Sequence, residues 1–239
     1  MNHIRQLDLA NPVRYARENV LLVGAGGIGA STAICMAKVG FRQLTVMDFD
    51  VIEEHNIPNQ FLPCTPGIFK VDGLHDLMHA MIPEGSEYAF SYHSHRFDEE
   101  VSIQPYTVFI SAVDSMNVRQ IMWNRVLNES EEGVLFVDAR MGADTMQLYL
   151  VDLLNEDAIR FYEGTLFPEE EAEEIPCTSK ATMYLSMVIA GMLTNAVTKF
   201  FMGQRVPTMQ IVNLRSGCWL KDGPINIRDS TPPWMEQAA

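Results

Sequence analysis

Four closely spaced glycines are the first residues in this sequence whose type and spacing could do chemistry. Gly24, Gly26, Gly27 and Gly29 form the pattern G-x-G-x-x-G within GAGGIG. Glycine lets the backbone approach a phosphate group closely, and the free N–H groups of a helix that starts there attract the anion. About 20 residues later comes Asp48, a carboxylate that can accept hydrogen bonds from ribose hydroxyls. Together these residues predict a nucleotide site with the phosphates at the glycine turn.

The elements that must position these residues follow from the local pattern. The apolar run Asn19–Val23 predicts a buried parallel strand that ends at the glycines. Small and apolar residues over Ile28–Val39 predict a helix, which ends at Gly40. A second strand is predicted over Leu44–Asp48. The order strand, glycine turn, helix, strand is that of a βαβ unit.

Helices and strands continue to alternate along the rest of the chain. We predict helices over Val71–Met81, Met116–Leu127 and Thr182–Met202, and strands over Tyr88–Tyr92, Thr107–Ala112, Val134–Asp138, Met146–Asp152 and Thr208–Leu214. This alternation predicts an α/β fold: a Rossmann-like, doubly wound and mostly parallel sheet with antiparallel strands toward the C-terminus. We expect one domain over residues 1–221 and an extended, proline-containing tail over residues 222–239.

Composition and charge exclude several classes of function. The chain has 239 residues, of which 17 are basic and 31 acidic, and its formal net charge is −14. Because nucleic acids are bound by clustered lysine and arginine, we expect no nucleic-acid partner. The four cysteines form no C-x-x-C pair, so we expect neither a disulfide framework nor structural zinc, and a reducing, cytoplasmic location. The most apolar stretch, Ala181–Val197, is interrupted by polar residues and predicts a buried helix, not a membrane span.

Four more short motifs follow the glycine turn in a fixed order. They are D-x-D (Asp48 and Asp50), N-x-x-N-Q (Asn56 to Gln60), G-x-x-K ending at Lys70, and D-x-x-x-x-R (Asp114 to Arg119). In this order and spacing they resemble the ubiquitin-activating-enzyme superfamily, specifically its compact ThiF/MoeB/HesA-like bacterial members. The resemblance covers roughly residues 12–203 and favours ATP over NAD as the nucleotide.

The resemblance implies an ATP- and Mg²⁺-dependent adenylyltransferase. In this family the C-terminal carboxylate of a small ubiquitin-like or sulfur-carrier protein, or of a peptide, attacks the α-phosphate of ATP. The resemblance assigns the ribose to Asp48, the adjoining loop to Asp50 and Asn56, phosphate contacts to Gln60 and Lys70, Mg²⁺ and the reacting groups to Asp114, and bracing of that last loop to Arg119. It also implies a homodimer.

The sequence departs from the family pattern at one phosphate-binding position. Asn59 stands where the family has an arginine, so one cationic contact with the triphosphate is missing. Compact family members insert an N-terminal arginine into the neighbouring protomer's site, and by that resemblance Arg5 or Arg14 would fill this role.

Cys177 is the candidate nucleophile. It lies just before the predicted long helix, where many relatives carry a cysteine that accepts the activated carboxyl as a thioester. A helix N-terminus lowers the pKa of a nearby thiol, whereas the neighbouring Glu173 and Glu174 oppose thiolate formation. A purely structural cysteine is the alternative.

Two other functions stay open at this point. An NAD-dependent oxidoreductase shares the glycine turn and Asp48, although it leaves the D-x-D motif and Lys70 unexplained. A non-catalytic member that binds nucleotide and scaffolds a ubiquitin-like partner would account for Asn59.

Overall fold

The computed structural model describes residues 1–63, 65–83, 86–171 and 182–228. The strands are β1 Asn19–Val23, β2 Gln43–Met47, β3 Ala89–His93, β4 Val108–Ser111, β5 Leu135–Gly142, β6 Thr145–Asp152, β7 Val206–Asn213 and β8 Cys218–Asn226. The helices are α1 Gly27–Val39, α2 Lys70–Met81, α3 Met116–Glu129, α4 Glu156–Glu163 and α5 Met183–Phe201. Short 3-10 turns cover Ile4–Gln6, Pro12–Arg14, Glu54–Asn56 and Glu169–Glu171.

The eight strands form one sheet in the order β3-β2-β1-β4-β5-β6-β7-β8. In this spatial order, the first five strands (β3, β2, β1, β4 and β5) pair in parallel. The pairs β5–β6, β6–β7 and β7–β8 are antiparallel. The predicted Rossmann-like, mostly parallel sheet with antiparallel C-terminal strands is therefore confirmed. The chain moves outward from β1 to β3 and then returns to the other side of β1, so the strand order reverses between β1 and β4. In open α/β sheets the carboxyl-end crevice at this reversal is where ligands bind.

Helices α1 and α5 pack against each other on one face of the sheet. Their contact is close because small side chains line α1, including Ala30 and Ala33, both fully buried. By length and composition α5 is the one helix among the described residues that could cross a membrane, and 61% of its apolar window is buried inside the protein. That burial matches the predicted core helix, since Leu185, Ile189 and Leu193 are inaccessible to solvent.

Two elements were missed by the sequence pattern. Helix α4 has only eight residues, and it buries Ala158 and Tyr162 below an otherwise polar surface. Strand β8 runs through Pro224 to Asn226, so residues 222–226 belong to the sheet although the tail was predicted to begin at 222. Proline is tolerated there because β8 is an edge strand with no further neighbour among the described strands.

Candidate nucleotide site

The predicted site residues converge at the carboxyl edge of the parallel strands. The glycine turn follows β1, Asp48 follows β2, and the Val113–Asp114 segment follows β4. Because β1 lies between β2 and β4, the glycine turn is central, with Asp48 on one side and Asp114 on the other. The candidate site thus occupies the crevice at which the strand order reverses.

Three of the four glycines are required by packing alone. Gly24 has a φ of +100°, and a methyl group there would lie 2.5 Å from the carbonyl oxygen of Ala112. At Gly27 a methyl group would collide with the Ser186 hydroxyl, and at Gly29 it would collide with the Gly24 carbonyl oxygen. A tight strand-to-helix turn explains these three positions without any ligand.

Gly26 is different, because nothing in the described protein fills the space beside it. Its φ is −73°, which any residue can adopt, and the nearest atom to a methyl group built there would be Gln60 Nε2 at 3.9 Å. Gly26 is also the residue that caps the N-terminus of α1, where backbone N–H groups point outward. The open space at Gly26, referred to below as the cradle, could therefore receive an anion.

Gln60 faces this cradle from the side. Its side-chain nitrogen would lie 3.9 Å from a methyl group built at Gly26, and an amide nitrogen can donate to a phosphate oxygen. Its side-chain oxygen is buried and has no hydrogen-bond partner among the described residues. A phosphate supplies no donor for this oxygen, so the amide nitrogen is the part of Gln60 that could bind a phosphate.

Asp48 connects β2 to the glycine turn. One carboxylate oxygen accepts a hydrogen bond of 2.6 Å from Ala25 N, and the other accepts one of 2.8 Å from Asp50 N. Burial is the main cause that raises the pKa of Asp48 above its ordinary value, although both hydrogen bonds and the nearby Lys70 act in the opposite direction. The carboxylate is thus held at the predicted ribose position.

Lys70 begins α2 and is buried, with only 7% of its surface exposed. Its ammonium donates to Asp50 Oδ2 at 2.6 Å, and its backbone N–H donates to Asp50 O at 2.9 Å. The structure therefore joins two predicted site residues into one ion pair that approaches Asp48. A buried lysine near a bound phosphate group can stabilise negative charge that develops in a reaction.

The loop that carries Gln60 is shaped by Asn56. The Asn56 side chain accepts a hydrogen bond from Glu53 N at 3.1 Å, and its backbone oxygen accepts from Gln60 N at 3.0 Å. Ser186 of α5 contacts the same loop, because its hydroxyl lies 3.4 Å from the carbonyl oxygen of Asn59. The long helix therefore helps to fix both the glycine turn and the Gln60 loop.

On the other side of the turn, Asp114 is exposed and Arg119 is buried beneath it. Arg119 Nη2 donates to the carbonyl oxygen of Val113 at 2.7 Å, and Nε donates to Asp138 Oδ1 at 2.6 Å. Arg119 thus anchors the segment that presents Asp114. Asp138 also accepts from Arg140 Nε at 2.7 Å, so one fully buried carboxylate holds two arginines.

Sequence reasoning missed several residues that support the site. Asp138 and Arg140 carry no signal in the sequence, because their role depends on the pairing of Asp138 with a helix 19 residues earlier in the chain. Glu169 accepts hydrogen bonds from Ser115 Oγ at 3.0 Å and from Asn117 N at 2.6 Å, at the start of α3. Glu169 therefore contributes a carboxylate to the N-terminus of α3.

Three further candidate residues lie either away from this crevice or outside the residues that the structure describes. Cys177 falls in residues 172–181, outside the described residues. Arg5 and Arg14 belong to an N-terminal segment that packs at the C-terminal end of α1, where Gln6 donates to the Val39 carbonyl oxygen at 2.8 Å. A 13-residue helix is about 20 Å long, so this segment lies far from the glycine turn of its own chain.

Comparison with known proteins agrees with this arrangement. A sequence profile of the ThiF family matches residues 3–220. The adenylyltransferase and sulfurtransferase MOCS3 of Aedes aegypti is 23% identical over 124 residues, which are 50% of this chain and 28% of the relative. The chain therefore matches only about a quarter of that relative's length.

Solved structures show the same fold at low sequence identity. PaaA superposes with a TM-score of 0.68 at 18% identity, covering 89% of this chain and 74% of the other. MccB of E. coli, crystallised with AMPCPP and MccA, superposes with a TM-score of 0.65 at 15% identity, covering 92% and 68%. With the family profile spanning nearly the whole described chain, this protein belongs to the ThiF family.

Proposed function

We propose that this chain uses ATP to adenylate the C-terminal carboxylate of a small ubiquitin-like or sulfur-carrier protein, or of a peptide. The open cradle at Gly26 carries the proposal, since the fold requires the other three glycines but leaves this one unexplained. The relatives named above support the reaction class, because MOCS3 is described as an adenylyltransferase and MccB was crystallised with an ATP analogue and the peptide MccA.

The site residues can stabilise the charges that take part in the proposed reaction. The substrate carboxylate attacks the α-phosphorus of ATP, a P–O bond to the carboxylate forms, and the bond to pyrophosphate breaks. The cradle at Gly26, the Gln60 amide and the Lys70 ammonium stabilise the triphosphate charge, while Asp48 accepts from the ribose. Asp114 is the exposed carboxylate that would hold Mg²⁺, whose charge would neutralise the leaving pyrophosphate.

We further propose that the chain acts as a homodimer. Its N-terminal segment exposes large apolar side chains, with Ile4, Leu9 and Val13 at 71%, 77% and 54% exposure. Arg5 and Arg14 lie on this segment, at the far end of α1 from the glycine turn of the same chain. An arginine that replaces the cation missing at Asn59 would therefore come from a neighbouring protomer.

Isotope exchange between ATP and labelled pyrophosphate tests the proposal. The parent protein is mixed with Mg²⁺, ATP and a panel of small ubiquitin-like carrier proteins ending in Gly-Gly, and label in ATP is measured. We expect exchange that requires a carrier, a loss of about 100-fold or more in Asp114→Ala, and no loss in Asp157→Ala, an exposed aspartate on α4. Unchanged exchange in Asp114→Ala would contradict the site assignment. ATP binding without exchange would support a non-catalytic scaffold.

A thioester on Cys177 is proposed as the step after adenylation. The thiolate would attack the acyl carbonyl, forming the thioester and releasing AMP. We expect a carrier adduct sensitive to thiols in the parent, an oxyester in Cys177→Ser and no adduct in Cys177→Ala. Cys218→Ala is the matched control, since Cys218 is an exposed free cysteine. Full turnover by Cys177→Ala would make Cys177 a structural residue.

A further inference from the structure

The C-terminal end of the described chain is held beside the segment that precedes β1. Arg228, the last described residue, donates from Nη1 to Glu18 Oε1 at 3.0 Å, and its guanidinium carbon lies 4.6 Å from the ring centroid of Phe201. Glu18 is buried, and its backbone N–H donates to the carbonyl oxygen of Tyr15 at 3.1 Å. The chain beyond Arg228 therefore starts next to the N-terminal segment, defined here as residues 3–17.

The N-terminal segment has a surface that is both apolar and basic. Its exposed large apolar side chains, each at least 42% exposed, are Ile4, Leu7, Leu9 and Val13. It carries three arginines and one aspartate, so it is locally basic in a chain whose net charge is −14. A partner that matches this surface combines apolar side chains with negative charge.

The remaining residues of the sequence, 229–239, have this composition and lie outside the described residues. This terminal peptide reads DSTPPWMEQAA. It contains two acidic residues, Asp229 and Glu236, and neither lysine nor arginine. Four consecutive apolar residues, Pro232–Met235, include the large side chain of Trp234. Its charge and its apolar run therefore complement those of the N-terminal segment.

The terminal peptide is long enough to reach that surface. An extended chain spans about 3.3–3.6 Å per residue, so Trp234, six residues after Arg228, can lie up to about 20 Å from it. Val13 precedes Glu18 by five residues and is therefore within about 18 Å of it by the same measure. Since Arg228 contacts Glu18, Trp234 can meet the exposed side chains of the N-terminal segment.

We propose that the terminal peptide docks on the N-terminal segment of the same chain, with Trp234 as its apolar anchor. This docking does not rest on the proposed reaction with ATP. The surface it covers is the one proposed above to contact a neighbouring protomer, so the peptide and the neighbour compete for it. The terminal peptide is thus an autoinhibitory cover that weakens association of the chain with a second copy.

Amide hydrogen exchange of the 239-residue chain tests the docking. In Trp234→Ala the amides of residues 4–16 should exchange about tenfold faster, because burial of one large apolar side chain shifts a docking equilibrium by about that factor or more. Trp219→Ala is the matched control, since it removes an exposed tryptophan from β8 and should leave these amides unchanged. Unchanged exchange in Trp234→Ala would overturn the proposal.

A substitution on the other side of the contact gives a reciprocal test. Leu9→Asp places a negative charge on the apolar surface and should release Trp234, which raises the Stern–Volmer constant for acrylamide quenching of tryptophan fluorescence. The rise should vanish when Leu9→Asp is combined with Trp234→Phe. Met187→Asp, at an exposed position of α5, should cause no rise. A rise that persists without Trp234 would overturn the proposal.

Photo-crosslinking distinguishes docking within one chain from docking on a neighbour. Benzoylphenylalanine replaces Trp234 in an equal mixture of ¹⁴N- and ¹⁵N-labelled protein, and crosslinked peptides are identified by mass spectrometry. Crosslinks to residues 3–17 that carry a single label support the proposal, whereas crosslinks that join the two labels would overturn docking within the same chain.

Sedimentation tests the competition with a neighbouring protomer. We expect Trp234→Ala to associate more tightly than the parent, and equal association would overturn the autoinhibitory role. None of these measurements involves ATP, so failure of the proposed adenylation would leave their outcome unchanged.

Discussion

The carboxylate of Asp48, at the end of β2, accepts a 2.6 Å hydrogen bond from the backbone N–H of Ala25, inside the glycine turn after β1. The residue predicted to hold the ribose therefore also holds the turn predicted to bind the phosphates. Because a buried carboxylate is costly to ionise, this contact links the geometry of the site to the protonation of Asp48.

Stability should depend on pH through Asp48. Burial raises the pKa of Asp48 above its ordinary value of 3.8, so the folded state takes up a proton more readily than the unfolded state. The resulting stabilisation is complete below pH 3.8 and is lost as pH rises through the raised pKa. In urea unfolding from pH 3.5 upward, the parent should lose free energy of unfolding relative to Asp48→Asn. A relative gain with rising pH would contradict the burial effect.

Gly26→Ala should separate ligand binding from folding. A methyl group at Gly26 enters open space, so we expect the free energy of unfolding to stay within about 1 kcal/mol of the parent while ATP affinity falls at least tenfold. Gly27→Ala is the matched variant, and it should cost about 1–3 kcal/mol because its methyl group meets Ser186 and lies 2.9 Å from the carbonyl oxygen of Asn59. Full ATP affinity in Gly26→Ala would show that the cradle is not a phosphate site.

Arg119→Ala should destabilise the protein strongly. The substitution leaves the fully buried Asp138 with one arginine instead of two and frees the Val113 carbonyl oxygen. Breaking a buried ion pair costs about 3–5 kcal/mol, and the remaining bond to Arg140 places the expected loss at about 3 kcal/mol. Arg160→Ala, which removes exposed ion pairs on α4, should leave the free energy of unfolding nearly unchanged. Equal losses of unfolding free energy in Arg119→Ala and Arg160→Ala would show that the buried ion pair of Arg119 stabilises the fold no more than an exposed one.

Glu169→Ala should loosen the start of α3. The Asn117 N–H loses its 2.6 Å acceptor, and helix caps of this kind are worth about 0.5–2 kcal/mol. Amide hydrogen exchange at Asn117 should therefore become faster, whereas Glu170→Ala, one residue away and exposed, should leave it unchanged. Identical exchange in the two variants would mean that the Glu169 contact does not hold the helix in solution.

Local patterns in the sequence predicted most of the parallel half of the sheet. Strands β1 and β4 are continuous apolar runs because both of their faces are buried, and α1 ends at Gly40, whose φ is +115°. Strand β8 was not predicted because Asp222, Gly223 and Pro224 oppose strand formation locally, and only its pairing with β7 overrides them.

Site residues could be predicted where they form motifs along the chain. They could not be predicted where residues distant in sequence come into contact only in the folded structure. Asp48 and the glycines could be recognised because nucleotide chemistry requires a particular spacing along the chain. The pair of Arg119 with Asp138 and that of Glu169 with Ser115 join residues 19 and 54 positions apart. Nothing in a single sequence reports such contacts.

The central claim, adenylation of a carboxylate, is tested most directly by following oxygen. A Gly-Gly carrier protein with both C-terminal carboxylate oxygens labelled with ¹⁸O is incubated with the parent protein, ATP and Mg²⁺, and the acyl-adenylate is then cleaved at its carbonyl with hydroxylamine. Attack of the carboxylate on the α-phosphorus predicts one ¹⁸O atom in each AMP, read by mass spectrometry. AMP without ¹⁸O, or the formation of ADP and phosphate in place of AMP and pyrophosphate, would contradict the claim.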